Sequence, residues 1–402
     1  MKTPFILIFL SMLVMQNMQA QTEIIPGQYI VTLKESVALP VCLQETTGAD
    51  RELTAALNET KRSGNLGKVH ALQTKAGLSG TAIVAEFADA IVGFVAQLSD
   101  EQVARLRADP DVENVGPDYY YSLAQPILES NPRELEMAGQ TTPCAITNAG
   151  GFADGAAKST YIWILDTGID LDHPDLNVVT GNLAKSFISG QSVDDGYGHG
   201  THVAGIAGAK NNGFGTVGVS AGAKLVPVKV LNNSGNGSWS ALLQGLNHVA
   251  QYDKANDVVN MSVGAYPVNN CENSDISLRN AIRNLGLSGT WVCIAAGNES
   301  GNAALSKPGC VNGTRVYTVG AVDCNFACAN YSNWGTSVVD WVATGTNVYS
   351  TYLNGGYATL SGTSMATPVV AGIIHARGGS PAAGQTVKCG TPIGSYKIAK
   401  RL

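Results

Sequence analysis

The feature that most constrains the fold is a set of five short, nearly continuous apolar runs in the second half of the chain. They are rich in β-branched residues, as expected for strands buried on both faces. The runs lie at 161–165, 224–231, 258–261, 290–295 and 316–322. Between them, 240–252 and 275–285 have apolar residues at three- and four-residue spacing. This alternation predicts an α/β domain with a doubly wound, mostly parallel sheet.

The composition excludes several classes of protein. Of the 402 residues, 45% are apolar and only 14% are charged, which rules out a disordered or coiled-coil chain. The formal net charge of -6 provides no basic field for binding DNA or RNA, so we expect no nucleic-acid partner. The length predicts two or three folded units.

The first twenty residues are typical of a secretory signal peptide. Lys2 precedes an apolar run at 5–15, and a polar stretch ends in the small residue Ala20. The run is shorter than the roughly 20 apolar residues that cross a bilayer, and no later segment is long enough either. We therefore expect a secreted protein, extracellular or periplasmic, without a membrane span.

Residues 21–121 have the pattern of a small α+β unit. Its periodicity predicts strands at 28–34, 81–87, 93–98 and 112–115, and helices at 50–62 and 101–107. The second helix opens with a capping box formed by Ser99 and Gln102. The order β-α-β-β-α-β predicts a ferredoxin-like domain. Residues 122–158 show few periodic features and predict a linker and an irregular start to the main domain at 159–402.

Three reactive side chains stand beside glycine where a predicted strand ends or a predicted helix begins: Asp166, His199 and Ser364. A serine hydroxyl becomes a nucleophile when an imidazole takes its proton and a carboxylate orients that imidazole. Asn298 and the backbone N–H of Ser364 are candidates to stabilise a developing oxyanion. Each residue alone would be an ordinary turn or cap residue, but together they predict a nucleophilic active site.

Four motifs resemble those of the subtilisin-like serine proteases, or subtilases. They are Asp-Thr-Gly-Ile-Asp at 166–170, His-Gly-Thr-His-Val-Ala-Gly at 199–205, Ala-Ala-Gly-Asn at 295–298 and Gly-Thr-Ser-Met-Ala-Thr-Pro at 362–368. Their order along the chain also matches. The resemblance implies a serine endopeptidase that forms an acyl-enzyme on Ser364, with His199, Asp166 and Asn298 in the roles given above. It implies no cofactor for the chemistry.

The resemblance also identifies residues that would hold an extended peptide. Gly235-Asn236-Gly237 and Ser262-Val263-Gly264 match the two sides of the family's substrate cleft, and Ala296 and Gly297 match a pocket wall. The small residues are expected to admit a large apolar or aromatic side chain at the P1 position. Protein or peptide substrates are the expected partners of a monomeric enzyme. The alternative is that the glycines of these two segments are ordinary loop glycines.

The N-terminal unit resembles the inhibitory propeptide of the same family, on the segments 26–31 and 106–117. The resemblance implies an intramolecular inhibitor whose tail occupies the substrate cleft until it is cut. We predict self-cleavage between Tyr119 and Pro126.

The segment 211–218 resembles a subtilase calcium loop. The ligands would be side-chain oxygens of Asp175 and Asn212 and backbone carbonyls of Lys210, Phe214 and Thr216. The same segment contains a G-x-G-x-x-G pattern, but it follows a predicted helix instead of a buried strand, so we exclude a dinucleotide cofactor. A structural Ca²⁺ ion and a plain turn are both open interpretations of this loop.

The cysteine count predicts at least one unpaired thiol. Cys42 lies in the propeptide-like unit, which leaves seven cysteines for the rest of the chain. Cys293, within a predicted buried strand, is the best candidate for a free cysteine. Loop positions suggest the pairs Cys271–Cys310 and Cys324–Cys328.

Two rival functions belong to other classes. One is a non-catalytic relative whose cleft binds peptides, and the other is an esterase or lipase of the α/β-hydrolase type. The sequence at 362–366 departs from G-x-S-x-G, and the order of the three residues differs from that class. The intact set of reactive residues argues against the binding module.

The chain departs from the family pattern after residue 377. Further helices are expected there, but only a segment with Pro, Gly and Lys follows to Leu402. We expect either that other segments, such as 122–158, cover that face of the core or that the domain has low stability.

Overall fold

A computed structural model describes residues 23–37, 51–123, 127–133, 139–268 and 275–402. The predicted signal peptide, Cys42 and Cys271 lie outside these residues. Among the helices that are described, none combines the length and the apolar character needed to cross a membrane.

The N-terminal unit has the predicted element order. Its elements are β1 (Glu23–Leu33), α1 (Arg51–Lys75), β2 (Ile83–Phe87), β3 (Gly93–Gln97), α2 (Asp100–Ala108) and β4 (Val112–Ser122). The strands form an antiparallel sheet in the order β4-β1-β3-β2, which confirms the ferredoxin-like fold. The capping box is also confirmed, because the Ser99 hydroxyl accepts the Gln102 N–H at 3.3 Å and the Gln102 side chain accepts the Ser99 N–H at 2.9 Å.

Helix α1 is much longer than the predicted helix at 50–62. It continues through Gly64 and Gly67 to Lys75. Glycine weakens a helix by about 1 kcal/mol relative to alanine, but Val69 and Leu72 beyond these glycines are buried against the sheet. Tertiary packing therefore outweighs the local propensity that ended the prediction.

The main domain is built on a nine-stranded sheet within the described residues, in the order β20-β21-β17-β16-β15-β14-β8-β12-β9. Neighbouring strands are parallel except for the pair β20 and β21, as the sequence predicts. The strands are β8 (Ile162–Asp166), β9 (Lys185–Ser186), β12 (Leu225–Lys229), β14 (Val258–Met261), β15 (Trp291–Ala295), β16 (Val316–Val322), β17 (Val339–Thr344), β20 (Ala382–Cys389) and β21 (Gly394–Lys400).

Helices cover both faces of this sheet. They are α4 (His199–Gly208), α5 (Trp239–Tyr252), α6 (Ile276–Ser288) and α7 (Thr363–Arg377). Successive residues of a strand point to opposite faces. In β8, Trp163 and Leu165 lie in one core with α5 and α6, whereas Ile162 and Ile164 lie in the other with α4 and α7. This doubly wound arrangement explains why the strand reads as a continuous apolar run.

The segment 122–158 is more regular than a linker. It contains β5 (Ile127–Arg133), β6 (Gln140–Thr141), α3 (Cys144–Asn148) and β7 (Ala153–Asp154). These short strands pair respectively with β19 (Tyr357–Ser361), β10 (Gly215–Thr216) and β11 (Ser220–Ala221). The two-residue strands β6 and β7 carry no periodicity, so they are recognised only through their distant pairing partners. The remaining strands are β13 (Asn236–Ser238) and β18 (Val348–Thr351).

The C-terminal residues supply cover that the family pattern would assign to helices. β20 and β21 form a hairpin, and β21 lies beside β17. Tyr396 and Ile398 of this hairpin are buried. Ala145 and Ile146 of α3 are also buried, in the core that contains α7. The expectation that 122–158 helps to cover this face is therefore confirmed, and the hairpin completes it.

The disulfide pattern corrects one prediction. Cys324 bonds to Cys144 and Cys328 bonds to Cys389, so the predicted Cys324–Cys328 pair is wrong. The two cysteines lie in one tight turn, and the hairpin and α3 bring each of them a distant partner. Cys293 is free and buried, as predicted. Cys310 is disulfide-bonded.

We expect the disulfide Cys144–Cys324 to stabilise the protein more than Cys328–Cys389. The two bonds close sequence separations of 180 and 61 residues, and the chain-entropy model gives the longer loop an advantage of about 1 kcal/mol. Thermal unfolding of the double variants Cys144→Ser/Cys324→Ser and Cys328→Ser/Cys389→Ser measures the two effects under identical conditions. Equal or reversed losses would contradict the loop-length argument.

Candidate active site

The topology collects the three predicted reactive residues at one edge of the main sheet. Asp166 is the last residue of β8, and β12 and β14 flank this strand. His199 and Ser364 lie in the first turns of α4 and α7, which pack against each other. In a doubly wound sheet, sites form outside the carboxyl ends of the strands. The three residues are at this end of the domain.

Asp166 and His199 form a buried pair. The Nδ1 atom of His199 lies 2.7 Å from Asp166 Oδ1, which also accepts the Thr167 N–H at 2.8 Å. Asp166 is completely buried and His199 is 1% exposed. A carboxylate in this position favours the tautomer with the proton on Nδ1 and leaves Nε2 able to accept a proton. Within the described part of the chain, Nε2 has no hydrogen-bond partner.

The Ser364 hydroxyl makes a different hydrogen bond from the one that nucleophilic attack requires. It donates to the Ser262 carbonyl at 3.3 Å, and the Ser262 hydroxyl donates to the Ser364 carbonyl at 2.9 Å. The Ser364 hydroxyl and His199 Nε2 are thus not hydrogen-bonded to each other in this structure. Rotation about χ1 between staggered rotamers redirects a serine hydroxyl without moving the backbone.

Asn298 is held in a fixed orientation beside Ser364. Its Oδ1 accepts the Thr363 N–H at 2.8 Å and the Thr363 hydroxyl at 2.9 Å. A Cβ atom on Gly362 would lie 3.5 Å from Asn298 Nδ2 and 3.6 Å from the Ser364 backbone nitrogen. Glycine at 362 therefore leaves open a space next to two N–H donors, which is the requirement for an oxyanion site.

The tail of the N-terminal unit lies along the predicted cleft as an added strand. β4 pairs antiparallel with β13, with Tyr121 opposite Gly237 and Ser122 opposite Asn236. The Leu123 N–H donates to the Gly235 carbonyl at 2.8 Å. The predicted residues Gly235, Asn236 and Gly237 thus contact an extended peptide segment through their main chain.

A small cavity continues the cleft beside Ser364. It is bordered by Leu123, Ser262, Val263, Gly264, Ala265, Ala295, Gly297, Asn298, Glu299, Ser306, Thr363 and Ser364. Four of the predicted binding residues belong to this set. Ala296 does not; it is buried, and its carbonyl accepts from Asn333 Nδ2 at 3.0 Å. The neighbouring Ala295 lines the cavity instead.

The cavity also contains a carboxyl group that the sequence analysis missed. Burial raises the pKa of Glu299, and a hydrogen bond from Asn333 opposes this shift. The Asn333 amide donates to Glu299 Oε2 at 2.6 Å. The wall is therefore not purely apolar.

An aromatic contact farther along the cleft was likewise missed. The rings of Tyr121 and Trp239 are stacked, with centroids 4.2 Å apart and planes 13° apart. Tyr121 is completely buried and Trp239 is 1% exposed. The two residues are more than one hundred positions apart, so no local pattern indicates their contact.

Two buried charged residues hold the loops around the Asp166–His199 pair, and neither was predicted. Asp195 accepts the Gly198 N–H at 2.9 Å, and its other oxygen accepts the Thr201 N–H at 2.9 Å and the Thr201 hydroxyl at 2.6 Å. Lys229 donates from Nζ to the Thr167 carbonyl. Burial lowers the pKa of Lys229, while nearby carboxylates favour its charged form. These contacts fix the residues on either side of the pair.

Four of the five predicted calcium ligands lie in contact. Asn212 Nδ2 donates to Asp175 Oδ1 at 2.9 Å, and the Thr216 N–H donates to Asp175 Oδ2 at 3.0 Å. The side chain of Gln140, which the sequence analysis missed, donates to the carbonyls of Lys210 at 2.8 Å and Thr216 at 3.0 Å. These contacts place the four residues in one small region, where the Asp175 carboxylate accepts N–H groups and the two carbonyls accept from Gln140.

The donor set of this region suits a hard cation. The Tyr357 hydroxyl adds an oxygen 3.2 Å from Asp175 Oδ2. Lys210 directs its ammonium to the Pro174 carbonyl at 2.9 Å, not to Asp175. Phe214 contacts this region through its N–H, which donates to Asn212 Oδ1 at 3.3 Å, and not through the predicted carbonyl. No cluster of three or more His, Cys, Asp or Glu suited to a metal occurs in the described ranges. Asp175 is the one carboxylate among the five predicted ligands, and the others offer amide or carbonyl oxygens, which Ca²⁺ accepts.

Comparison with known families gives two matches. Residues 157–376 match the subtilase family, and residues 28–124 match the peptidase inhibitor I9 family. The first match spans the residues of the site described above. The second spans the N-terminal unit and its tail.

Individual relatives cover most of the chain. Proteinase R of Parengyodontium album is 32% identical over 355 residues, which are 88% of this chain and 80% of that protein. An extracellular serine proteinase of Thermus sp. (strain Rt41A) is 33% identical over 362 residues, 87% of this chain and 80% of its own length.

A solved structure, the crystal structure of a cold adapted subtilisin-like serine proteinase, is 32% identical with a TM-score of 0.46, and the match covers 56% of this chain and 76% of that one. One family model matches more than half of the chain, and the two sequence relatives are 32% and 33% identical over 80% of their own length. The chain therefore belongs to the subtilase family and is a serine-type endopeptidase with an I9 propeptide domain.

Proposed function

We propose that this protein is a secreted endopeptidase that hydrolyses peptide bonds with Ser364, His199 and Asp166. The observation that carries this proposal is the 2.7 Å contact of Asp166 with His199 Nδ1, because it leaves Nε2 as an acceptor at the edge where Ser364 lies. The N-terminal sequence pattern supports secretion, as does an extracellular relative. We propose that the enzyme acts as a monomer.

The first half-reaction begins when the Ser364 hydroxyl turns from the Ser262 carbonyl toward His199. Nε2 takes the proton as Oγ bonds to the scissile carbonyl carbon, and Asp166 stabilises the imidazolium. The negative charge on the substrate oxygen is stabilised by Asn298 Nδ2 and the Ser364 N–H. His199 then returns the proton to the departing amine, the C–N bond breaks, and an acyl-enzyme remains.

The second half-reaction repeats these steps with water. His199 takes a proton from the water molecule as its oxygen attacks the ester carbon. The bond to Ser364 Oγ then breaks, and Oγ recovers the proton from His199. The same residues thus serve both steps, and the chemistry requires no cofactor.

Covalent labelling tests this function. We expect a fluorophosphonate to label the mature enzyme at Ser364 and to abolish casein digestion, because the probe reacts with an activated serine. Ser364→Ala should lose both properties, whereas Ser262→Ala, which removes the hydroxyl that donates to the Ser364 carbonyl, should still be labelled. Absence of label in the wild type would exclude a serine nucleophile, and label without digestion would favour an esterase.

We propose that the N-terminal unit inhibits the enzyme and is removed by self-cleavage. Its tail occupies the cleft as a strand through Ser122, and Leu123 continues this path to the cavity beside Ser364. Main-chain pairing with β13 is the way an extended substrate would also bind. The predicted window from Tyr119 to Pro126 therefore narrows to the bonds after Leu123.

N-terminal sequencing checks the processing site. Wild-type protein should yield a mature chain beginning between Ala124 and Pro126, because the residues before this point are paired in the cleft. Ser364→Ala should retain the N-terminal unit when produced alone. Cleavage of the variant at the same bond would show that another protease performs the processing.

We propose that the cleft prefers an apolar or aromatic side chain at P1 and accepts other positions broadly. Support comes from the small or aliphatic residues Val263, Gly264, Ala295 and Gly297 that border the cavity. The carboxyl group of Glu299 is held by Asn333.

We propose that the oxygen-rich region around Asp175 is a calcium site. Asp175, Asn212 and the carbonyls of Lys210 and Thr216 would hold the ion, with Gln140 as an additional donor. A hard cation there would replace the internal hydrogen bonds that now join these oxygens to amides. The ion would stabilise the loop and take no part in the reaction.

Chelation tests the calcium proposal. We expect EDTA to lower the melting temperature by roughly 5–10 °C, the range for loss of a ligand present well above its Kd. Asp175→Asn should already melt lower and should no longer respond to EDTA. An unchanged wild-type melting temperature in EDTA would rule out a site that contributes to stability.

A further inference from the structure

The indole ring of Trp239 has an occupant on each face. On one side lies the ring of Tyr121, at 4.2 Å between centroids. The ammonium group of Lys307 also lies over the indole, at 4.3 Å from the centroid. Two groups at these distances cannot share one face, so Lys307 lies on the face opposite to Tyr121.

Lys307 is buried and paired with a carboxylate. Its Nζ lies 2.5 Å from Asp275 Oδ2, and the side chains of Lys307 and Asp275 are 6% and 9% exposed. A lysine loses much hydration on burial, so it is retained there only with a compensating partner. The ion pair and the indole together provide that compensation.

Both charged residues are fixed from outside the aromatic contact. The other oxygen of Asp275 accepts the Leu278 N–H at 3.0 Å and caps α6. Lys307 exchanges two backbone hydrogen bonds with Ala265, at 2.8 and 3.0 Å. Ala265 directly follows the predicted cleft segment ending at Gly264, so the cation is tied to the wall of the cleft.

We propose that the Lys307–Asp275 pair is a specificity device that makes the Trp239 face select a tyrosine-like, electron-rich ring in the substrate. The proposal rests on the proposed function, in which a substrate follows the path of residues 120–123. Lys307 acts through Trp239, as a positioning residue.

The physical basis is the charge distribution of stacked rings. A cation on one face of an indole attracts its π electrons toward that face. The opposite face becomes less negative, which reduces its repulsion with the π cloud of a parallel ring. An electron-rich phenol ring then gains more binding free energy on this face than an aliphatic side chain of similar size. Asp275 keeps the ammonium group in place over the indole ring.

Two peptide substrates distinguish this effect from general damage. Both carry the chain's own sequence 120–126, Tyr-Tyr-Ser-Leu-Ala-Gln-Pro, and the second has leucine in place of the residue corresponding to Tyr121. The measured quantity is the ratio of kcat/KM for the tyrosine peptide to that for the leucine peptide, using the mature enzyme. A structural defect lowers both values and leaves this ratio unchanged.

We expect Lys307→Met, which keeps length but removes charge, to lower the ratio about fivefold, the scale of an aromatic or cation–π contact. Asp275→Asn retains an acceptor for the Leu278 N–H but loses the ion pair, so it should lower the ratio in the same direction. Lys307→Arg should restore most of the preference. Lys224→Met is the matched control, because Lys224 lies 5.7 Å from the Tyr161 ring, away from the cleft.

A ratio that stays at the wild-type value in both Lys307→Met and Asp275→Asn would overturn the proposal. An equally large fall of the tyrosine-to-leucine ratio in the Lys224→Met control would also overturn the proposal. A wild-type enzyme that cleaves the leucine peptide but shows no preference for tyrosine would overturn it while leaving the proposed function intact. If the wild type cleaves neither peptide, the proposed substrate path fails and the inference falls with it.

Discussion

A parallel sheet ends its strands at a common edge, and this constraint places the main parts of the site. β8 ends at Asp166, β14 is followed by Ser262, and β15 is followed within a few residues by Asn298. The three strands lie in the order β15-β14-β8. Asp166, Ser262 and Asn298 therefore lie at or just beyond adjacent strand ends, although 132 positions separate the first from the last. The helices then add His199 and Ser364 at their first turns, where backbone N–H groups have no partner within the helix itself.

The same edge accepts the tail of the N-terminal unit. β4 belongs to the sheet of that unit and extends beyond it to pair with β13 of the main domain. One strand thus joins two domains into a continuous five-stranded sheet among the described residues. Since the cleft recognises main-chain groups, it has no means of rejecting a segment of its own chain that arrives with the correct spacing. In the proposed function, inhibition and substrate recognition would use the same main-chain atoms of Gly235 and Gly237.

Much of the fold could be predicted because the signals were local. The apolar run of β14 at 258–261 has the predicted bounds. Ser99 and Gln102 form their capping box within three residues. Such features depend on neighbours in sequence, where spacing alone determines which groups meet.

The parts that could not be predicted all depend on distant pairing. Cys324 and Cys328 look like a local pair, but their partners at 144 and 389 arrive through a helix and a hairpin from opposite ends of the domain. Gln140 reaches the loop at 210–216 because β6 pairs with β10. Neither contact leaves a periodic trace in the sequence. Buried charged residues such as Asp195 cannot be identified from the sequence for the same reason, since burial is a property of the assembled core.

Contacts outside the cleft also join the N-terminal unit to the main domain. The Asn247 side chain accepts the N–H groups of Ala88, Asp89 and Ala90 at 3.3, 2.9 and 3.1 Å. Asp118 accepts the Ser240 N–H at 3.1 Å near the start of α5. These groups are buried, so each would lose hydrogen bonds to water without its partner.

A short peptide reproduces only the strand at 120–123, whereas the folded unit offers both sets of contacts at once. Any gain in affinity of the folded unit over such a peptide would therefore come from the contacts at α5 and its neighbours. The cleft can then discriminate among substrates through the face of Trp239, while the α5 contacts hold the folded propeptide in place. Cutting the chain after Leu123 leaves both sets intact, so release of the propeptide requires the loss of its fold or further proteolysis of the unit.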